Sequence, residues 1–268
     1  MDYPYLDTVI YDNFYEMLRG RYECNARTVA IRYREKDSIV DITYAEMTKE
    51  IAGICAYYER LGLQNRHIGI FSENRYEYIT IYLATVMKNV IIPLDKEMTS
   101  KNLADCVRDF DIDYLLVTDE TKEKIGDGEF TAPGSLTIIN IDDDSFRKFF
   151  KDKSIEEAGL ISHFFESVRD TDKDRFSILA STSGTDGRMK GVMLSQYNVI
   201  TNIRGTLENN VLKNPTLAFL PMNHTYGFNP CILATLYNGT TLCLNLKLKY
   251  LQRDIKCFNP FFSERFLW

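Results

Sequence analysis

No stretch of the sequence approaches 18 consecutive apolar residues, and the opening Met1-Asp2-Tyr3-Pro4-Tyr5-Leu6 has neither a basic n-region nor an apolar h-region. A membrane-spanning helix and a secretory signal are therefore not expected. Basic residues are scattered and outnumbered, 32 Lys and Arg against 38 Asp and Glu for a net charge of −6. The electrostatic footprint of a nucleic-acid binder is missing, and an anionic membrane face is disfavoured, with peripheral membrane contact left open. The six cysteines, at 24, 55, 106, 231, 243 and 257, include no Cys-x-x-Cys and no cysteine-histidine cluster. They read as small buried hydrophobes in a reducing compartment, against a disulfide scaffold or a thiol-bound metal. Asp142-Asp143-Asp144 has no partner ligands spaced around it and reads as a solvated turn. Neither internal repeats nor low-complexity tracts occur, and the expected location is cytoplasmic.

What is present is a globular chain: 268 residues, 45% hydrophobic. A chain of this length buries roughly 70–75% of its unfolded surface, enough for one large or two small domains. Strands and helices alternate, which predicts an α/β fold with helix-flanked, mainly parallel sheets. Strands are expected near 28–33, 39–43, 67–71, 90–93, 114–118, 136–141 and 175–180, as short apolar runs of the kind a two-sided sheet buries. Helices are expected near 8–22, 75–88, 100–109 and 155–169. Another starts at Thr43, which with Glu46 spells a capping box, presents Met47, Ile51, Ile54, Cys55, Tyr58 and Leu61 on one face, and stops at Gly62. The polar stretches 121–135 and 141–152 read as surface excursions.

The most informative segment is Ile178-Leu179-Ala180-Ser181-Thr182-Ser183-Gly184-Thr185-Asp186-Gly187-Arg188-Met189-Lys190-Gly191-Val192. An apolar strand runs into hydroxyls at 181, 182, 183 and 185 and glycines at 184, 187 and 191, and the loop closes on Lys190. Glycines let backbone N–H groups approach an anion, hydroxyls donate to its oxygens, and lysine adds a mobile cation. The guest this predicts is a nucleotide triphosphate. A Walker-type loop is excluded because Met189 stands where its second glycine would be and Gly191 follows Lys190. A dinucleotide fingerprint is excluded because Gly184-x-x-Gly187 lacks the first glycine pair.

The segment resembles the Thr-Ser-Gly-Thr-Thr-Gly-x-Pro-Lys-Gly-Val signature of the adenylate-forming (AMP-binding) superfamily, departing from it at Asp186 and Met189. Leu220-Pro221-Met222-Asn223-His224-Thr225-Tyr226-Gly227 resembles that family's Leu-Pro-x-x-His-x-x-Gly motif, and Val192 to Asn198 also fits, except that Gln196 stands where histidine is usual. Val90 to Asp95 resembles the family's Val-Val-Pro-Leu-Asp turn, and Ala234 to Leu244 its next small helix and strand. The likeness runs from about residue 10 to about 258 and is closest to long-chain fatty-acid acyl-CoA synthetases.

The resemblance implies an AMP-forming acid-thiol ligase. A carboxylate, expected to be a fatty acid, attacks the α-phosphate of ATP with Mg2+, giving an acyl-adenylate and releasing pyrophosphate, and coenzyme A thiolate then displaces AMP from the acyl group. It implies that Thr182, Ser183, Gly184, Thr185, Gly187 and Lys190 hold ATP phosphates and that His224, the catalytic candidate, positions the carboxylate. Met222, Tyr226 and Phe228 read either as an acyl-pocket lining or as core, and His67 and His163 as structural. A carboxylate at 186, about 4 Å from a phosphate charge, costs on the order of 1 kcal/mol even in water. The family's later segments, with the magnesium-linked glutamate, the ribose-binding aspartate and the lid domain with its catalytic lysine, do not follow in this sequence. Residues 1–268 are thus expected to be an incomplete N-terminal adenylation domain without the C-terminal lid. The bulky aromatic stretch after Phe258 predicts a frameshift or premature stop, and an unpaired sheet edge predicts poor solubility. Two alternatives stand beside the ligase: an adenylation module that loads a carrier protein, and a non-catalytic remnant that at most binds nucleotide phosphates.

Overall fold

A computed structural model of the chain describes residues 7–126, 128–151, 157–183, 189–212 and 214–260. The chain begins α1 (Phe14–Asn25), β1 (Val29–Glu35), β2 (Ser38–Thr43), α2 (Tyr44–Arg60), β3 (His67–Phe71), α3 (Tyr76–Lys88), β4 (Val90–Leu94) and α4 (Ser100–Asp109). It continues β5 (Tyr114–Val117), β6 (Thr137–Asn140), α5 (Asp144–Lys151), α6 (Glu157–Ser167), β7 (Phe176–Ser183), β8 (Met189–Ser195) and α7 (Gln196–Asn209). The last elements are β9 (Thr216–Ala218), α8 (Thr225–Gly227), α9 (Ala234–Tyr237), β10 (Leu242–Leu244) and α10 (Leu251–Phe258), with a π-helical turn at Phe228–Leu233. They form two compact units, one of Met1–Thr48, Asn74–Tyr76 and Tyr197–Trp268, the other of Lys49–Glu73 and Glu77–Gln196.

The second unit is built on a sheet ordered β6-β5-β3-β4-β7-β8 among the described residues. Its strands are parallel except for β8, which returns antiparallel to β7. Every residue of β4 is buried, and all of β3 but His67. This is the pattern of strands covered on both faces by the helices of parallel crossovers. Leu94, Leu103, Val107, Leu115 and Val117 share one core cluster with Leu179 of β7. The expected strand at 175–180 runs on to Ser183, because Ser181, Thr182 and Ser183 pair with Gly191, Lys190 and Met189. What reads as the start of a loop is therefore ladder. The stretch 141–152 contains α5, where Phe146 is fully buried and meets Tyr57 edge-on at 5.3 Å. Asp142 serves the entry to that helix, accepting the Asp119 N–H at 2.9 Å and the Arg147 guanidinium at 2.6 Å.

The first unit carries a sheet ordered β2-β1-β10-β9, with β1, β10 and β9 parallel and β2 antiparallel. The capping box forms as read: Thr43 N–H and Oγ1 each donate to Glu46 Oε2 at 2.8 Å, and Glu46 N–H donates back to Thr43 Oγ1 at 3.2 Å. Of the face predicted for α2, Met47, Ile51, Ile54, Cys55 and Tyr58 are buried, and Leu61, one residue past the helix, is exposed. Helix α1 starts at Phe14 rather than near residue 8. Asn13 caps it by accepting the Glu16 N–H at 2.8 Å, while Glu16 accepts the Asp12 N–H at 2.8 Å. Tyr44, fully buried, donates to the Thr240 carbonyl at 2.9 Å, and Tyr237 donates to the Val9 carbonyl at 2.5 Å. Leu251, Ile255 and Phe258 of α10 pack on Leu217 of β9 and Cys243 of β10.

Candidate functional site

Of the phosphate-loop candidates, Thr182 lies near the end of β7 and Lys190 near the start of β8. Thr182 and Lys190 are cross-strand partners, both exposed, and Thr182 Oγ1 donates to the Lys190 carbonyl at 3.4 Å. The ladder's last pair is Ser183 with Met189. Gly184, Thr185 and Gly187, with Asp186, lie outside the described residues, as does the side chain of Ser183. Among the described residues the Lys190 ammonium forms no ion pair. It is a solvated point charge on a flexible stem, set opposite a hydroxyl at the mouth of a hairpin, which is a fitting arrangement for meeting an anion.

Gly191 has a different part from the one its motif suggests. It lies in β8 opposite Ser181, and a Cβ there would stand 2.7 Å from Leu179 Cδ1 and 3.3 Å from Phe110. It allows the hairpin to lie close on the core. Gln196, fully buried at the start of α7, donates through Nε2 to the Val86 carbonyl at 2.8 Å. A buried amide needs such a partner, and this one bonds the end of α3.

The same unit holds a cavity of about 360 Å3 lined by Lys88, Glu166, Asp170, Thr171, Asp172 and Arg175, among others. Its arginine is already committed, because Arg175 Nη2 donates to the carbonyls of Val86 at 2.9 Å and Asn89 at 3.3 Å. Burial also lowers the pKa of this guanidinium. Lys88 is held by Glu59 at 2.8 Å, so the cavity offers carboxylates rather than free cations and does not suit a phosphate.

His224 belongs to the first unit and is placed by backbone. It precedes the short α8, its N–H donates to the Pro221 carbonyl at 3.3 Å, and its carbonyl accepts the Phe228 N–H at 2.9 Å. The imidazole is exposed and makes no hydrogen bond among the described residues. Gly227 makes the turn feasible, since a Cβ would fall 2.8 Å from the Pro221 carbonyl oxygen and 2.9 Å from Leu220 Cβ. Met222 and Phe228 are buried and act as core, whereas Tyr226 is 61% exposed. Asn74, which the sequence does not single out, reaches this turn from 146 residues away: its Nδ2 donates to the Leu220 carbonyl at 2.9 Å and its Oδ1 accepts the Met222 N–H at 2.9 Å. No local pattern announces such a contact.

The other two histidines are bonded within the fold. His67 Nδ1 lies 2.7 Å from the Phe110 carbonyl, and His163 Nε2 lies 3.1 Å from Glu59. All six cysteines are free thiols. Burial pushes Cys106 up to about 11 and Cys243 up to about 12, which keeps them protonated at neutral pH. Cys24 and Cys257 are exposed rather than buried, Cys257 with the Arg34 guanidinium 3.8 Å from its sulfur. Among the described residues no three His, Cys, Asp or Glu side chains converge as a metal set. Among them, too, no helix is long and apolar enough to cross a membrane.

Comparison with known proteins agrees with these motifs. The chain is 23% identical over 212 residues to the 2-succinylbenzoate–CoA ligase of Lactococcus lactis, covering 78% of this chain and 42% of the relative. It is 26% identical over 219 residues to the human long-chain-fatty-acid–CoA ligase 6, covering 72% of this chain and 29% of the relative. It therefore spans less than half the length of these curated relatives. The fold matches a long-chain-fatty-acid-CoA ligase of Archaeoglobus fulgidus with a TM-score of 0.75 at 15% identity, over 97% of this chain and 52% of that one. A family model described as AMP-binding enzyme matches residues 20–260, a span that takes in the whole β7–β8 hairpin and the His224 turn, and the chain belongs to that family.

Proposed function

We propose that the chain is the N-terminal part of an AMP-forming acid-thiol ligase that activates a carboxylic acid with ATP, and that the acid is a fatty acid transferred to coenzyme A in the cytoplasm. The observation that carries the reading is the pairing of Thr182 with Lys190, which forms no ion pair among the described residues, at the two ends of a hydroxyl- and glycine-rich connection. Among relatives whose names cover several acids, the long-chain-fatty-acid ligases support the choice of a fatty acid.

The chemical need is charge neutralisation. A carboxylate attacking the α-phosphate adds negative charge to a polyphosphate, and preorganised donors stabilise what develops there. Thr182, Ser183, Gly184, Thr185, Gly187 and Lys190 are assigned the β- and γ-phosphates and, after adenylation, pyrophosphate. His224 is assigned the carboxylate, as an imidazole able to donate a hydrogen bond to one of its oxygens. Magnesium carried by ATP would supply further phosphate neutralisation.

Calorimetric titration of the chain with MgATP tests the assignment. Charge-assisted hydrogen bonds contribute about 1.5–3 kcal/mol, so Lys190→Ala is expected to weaken binding about ten-fold or more. Equal affinity in the parent and the variant would remove Lys190 from the phosphate site.

A further inference from the structure

We infer that Asn74 is a positioning residue for His224; the inference rests on the reading that His224 orients the reacting carboxylate. Asn74 follows β3, yet its side-chain amide is spent on the segment just before the histidine, with both bonds at 2.9 Å, one to the Leu220 carbonyl and one from the Met222 N–H. Only one orientation of the amide satisfies a carbonyl and an N–H at once, so the assignment of its oxygen and nitrogen is fixed by the partners. The pairing copies what a neighbouring β-strand does for two backbone groups on either side of one residue. Here the residue between them is Pro221, which has no N–H to offer.

Gly227 closes the turn against Pro221 and Leu220, where a Cβ would come within 2.8 and 2.9 Å. The segment 220–224 is thus held by Asn74 at its beginning and by α8 at its end. The exposed imidazole has no side-chain bond among the described residues, so its position is inherited from its own backbone and, through that, from Asn74. The requirement is narrow: alanine loses both bonds, glutamine is a methylene too long for this pair, and an ionised aspartate keeps the acceptor but sets an oxygen against the Leu220 carbonyl. A neutral aspartic acid is isosteric and reproduces both bonds.

The chain's three histidines make the test direct, because their imidazole Cε1–H signals are few enough to assign with His224→Ala. In the 268-residue chain, Asn74→Ala is expected to speed exchange of the Met222 amide about ten-fold, the scale of one lost hydrogen bond. It should also displace the His224 signal while leaving those of His67 and His163 in place. Octanoate, used as the carboxylate probe, should shift the His224 signal of the parent chain and bind Asn74→Ala about ten-fold more weakly. Asn74→Asp covers the case in which the alanine variant does not fold. Its Met222 protection factor and parent-like His224 signal are expected in acid and should be lost as the new carboxyl ionises, a pH profile that loss of packing does not produce. Unchanged Met222 exchange and an unchanged His224 signal in the folded variants overturn the proposal. If octanoate leaves His224 unmoved in the parent while Asn74→Ala still displaces it, the hold of Asn74 on His224 is upheld and the carboxylate role is the part that fails.

Discussion

The β7–β8 hairpin and the His224 turn both present an exposed polar side chain, but they do it by opposite means. Lys190 stands on a hairpin whose own ladder holds it, with Val192 43% and Met193 66% exposed along the same strand. His224 stands on a turn held from far along the chain, with Asn74 bonded to it, Met222 and Phe228 buried beside it, and Gly227 pressed against Pro221. The difference follows the chemistry proposed for each. An ammonium that meets phosphate oxygens needs reach and a free charge, and gains little from a rigid frame. An imidazole that must orient a carboxylate needs its Cα fixed, since small misplacements at a reacting centre cost rate steeply.

Stability measurements are expected to break the symmetry between the two. Gly227→Ala forces a Cβ against a carbonyl oxygen at 2.8 Å, so the backbone itself must move. Overpacking of this kind costs about 1–3 kcal/mol, and a shift of the urea midpoint to lower denaturant checks it. A midpoint at the parental value would mean that the turn yields freely and is not a frame at all. Gly191→Ala makes a contact as close, 2.7 Å, but with the end of the Leu179 side chain. A rotamer change relieves it, and the alanine recovers about 0.4–1 kcal/mol through the unfolded state, so the net loss in the same urea titration is expected to stay below about 1 kcal/mol.

The hairpin is expected to respond in binding rather than in stability. Asp186→Thr removes a carboxylate from the phosphate loop and should tighten MgATP several-fold, since a like charge at about 4 Å costs on the order of 1 kcal/mol. Calorimetry that finds equal affinity would mean that the Asp186 side chain does not face the phosphates. Lys190→Ala, outside any ion pair among the described residues, should move the urea midpoint least, by less than about 0.5 kcal/mol in stability. A larger loss would show that Lys190 serves the fold and would erase the contrast with His224.

Legibility in the sequence follows the same division. Elements fixed by local chemistry stand where they are read: β3 over His67–Phe71 and α4 over Ser100–Asp109 match residue for residue, and the Thr43–Glu46 capping box forms with all its bonds. Elements fixed by tertiary context do not. Strand β8 has no apolar alternation, because most of it is exposed and it is a strand through its ladder with β7. Helix α5 hides in a polar stretch and is settled by the burial of Phe146. The start of α1 moved from residue 8 to Phe14 because an asparagine cap outranks the apolar pattern before it. Within the candidate sites, Thr182, Lys190 and His224 were legible as motif residues, whereas Asn74 enters only through a contact across 146 residues and Gly191 is revealed as a packing position only by the Leu179 side chain beneath it.

The most direct test of the phosphate hairpin is a backbone amide spectrum of the chain titrated separately with inorganic pyrophosphate and with adenosine. Phosphate binding by the hairpin requires that pyrophosphate alone move the amides of Thr182, Lys190 and Gly191, that adenosine leave them still, and that Lys190→Ala abolish the response. Amides on the hairpin that ignore pyrophosphate, or that answer adenosine equally, would contradict it.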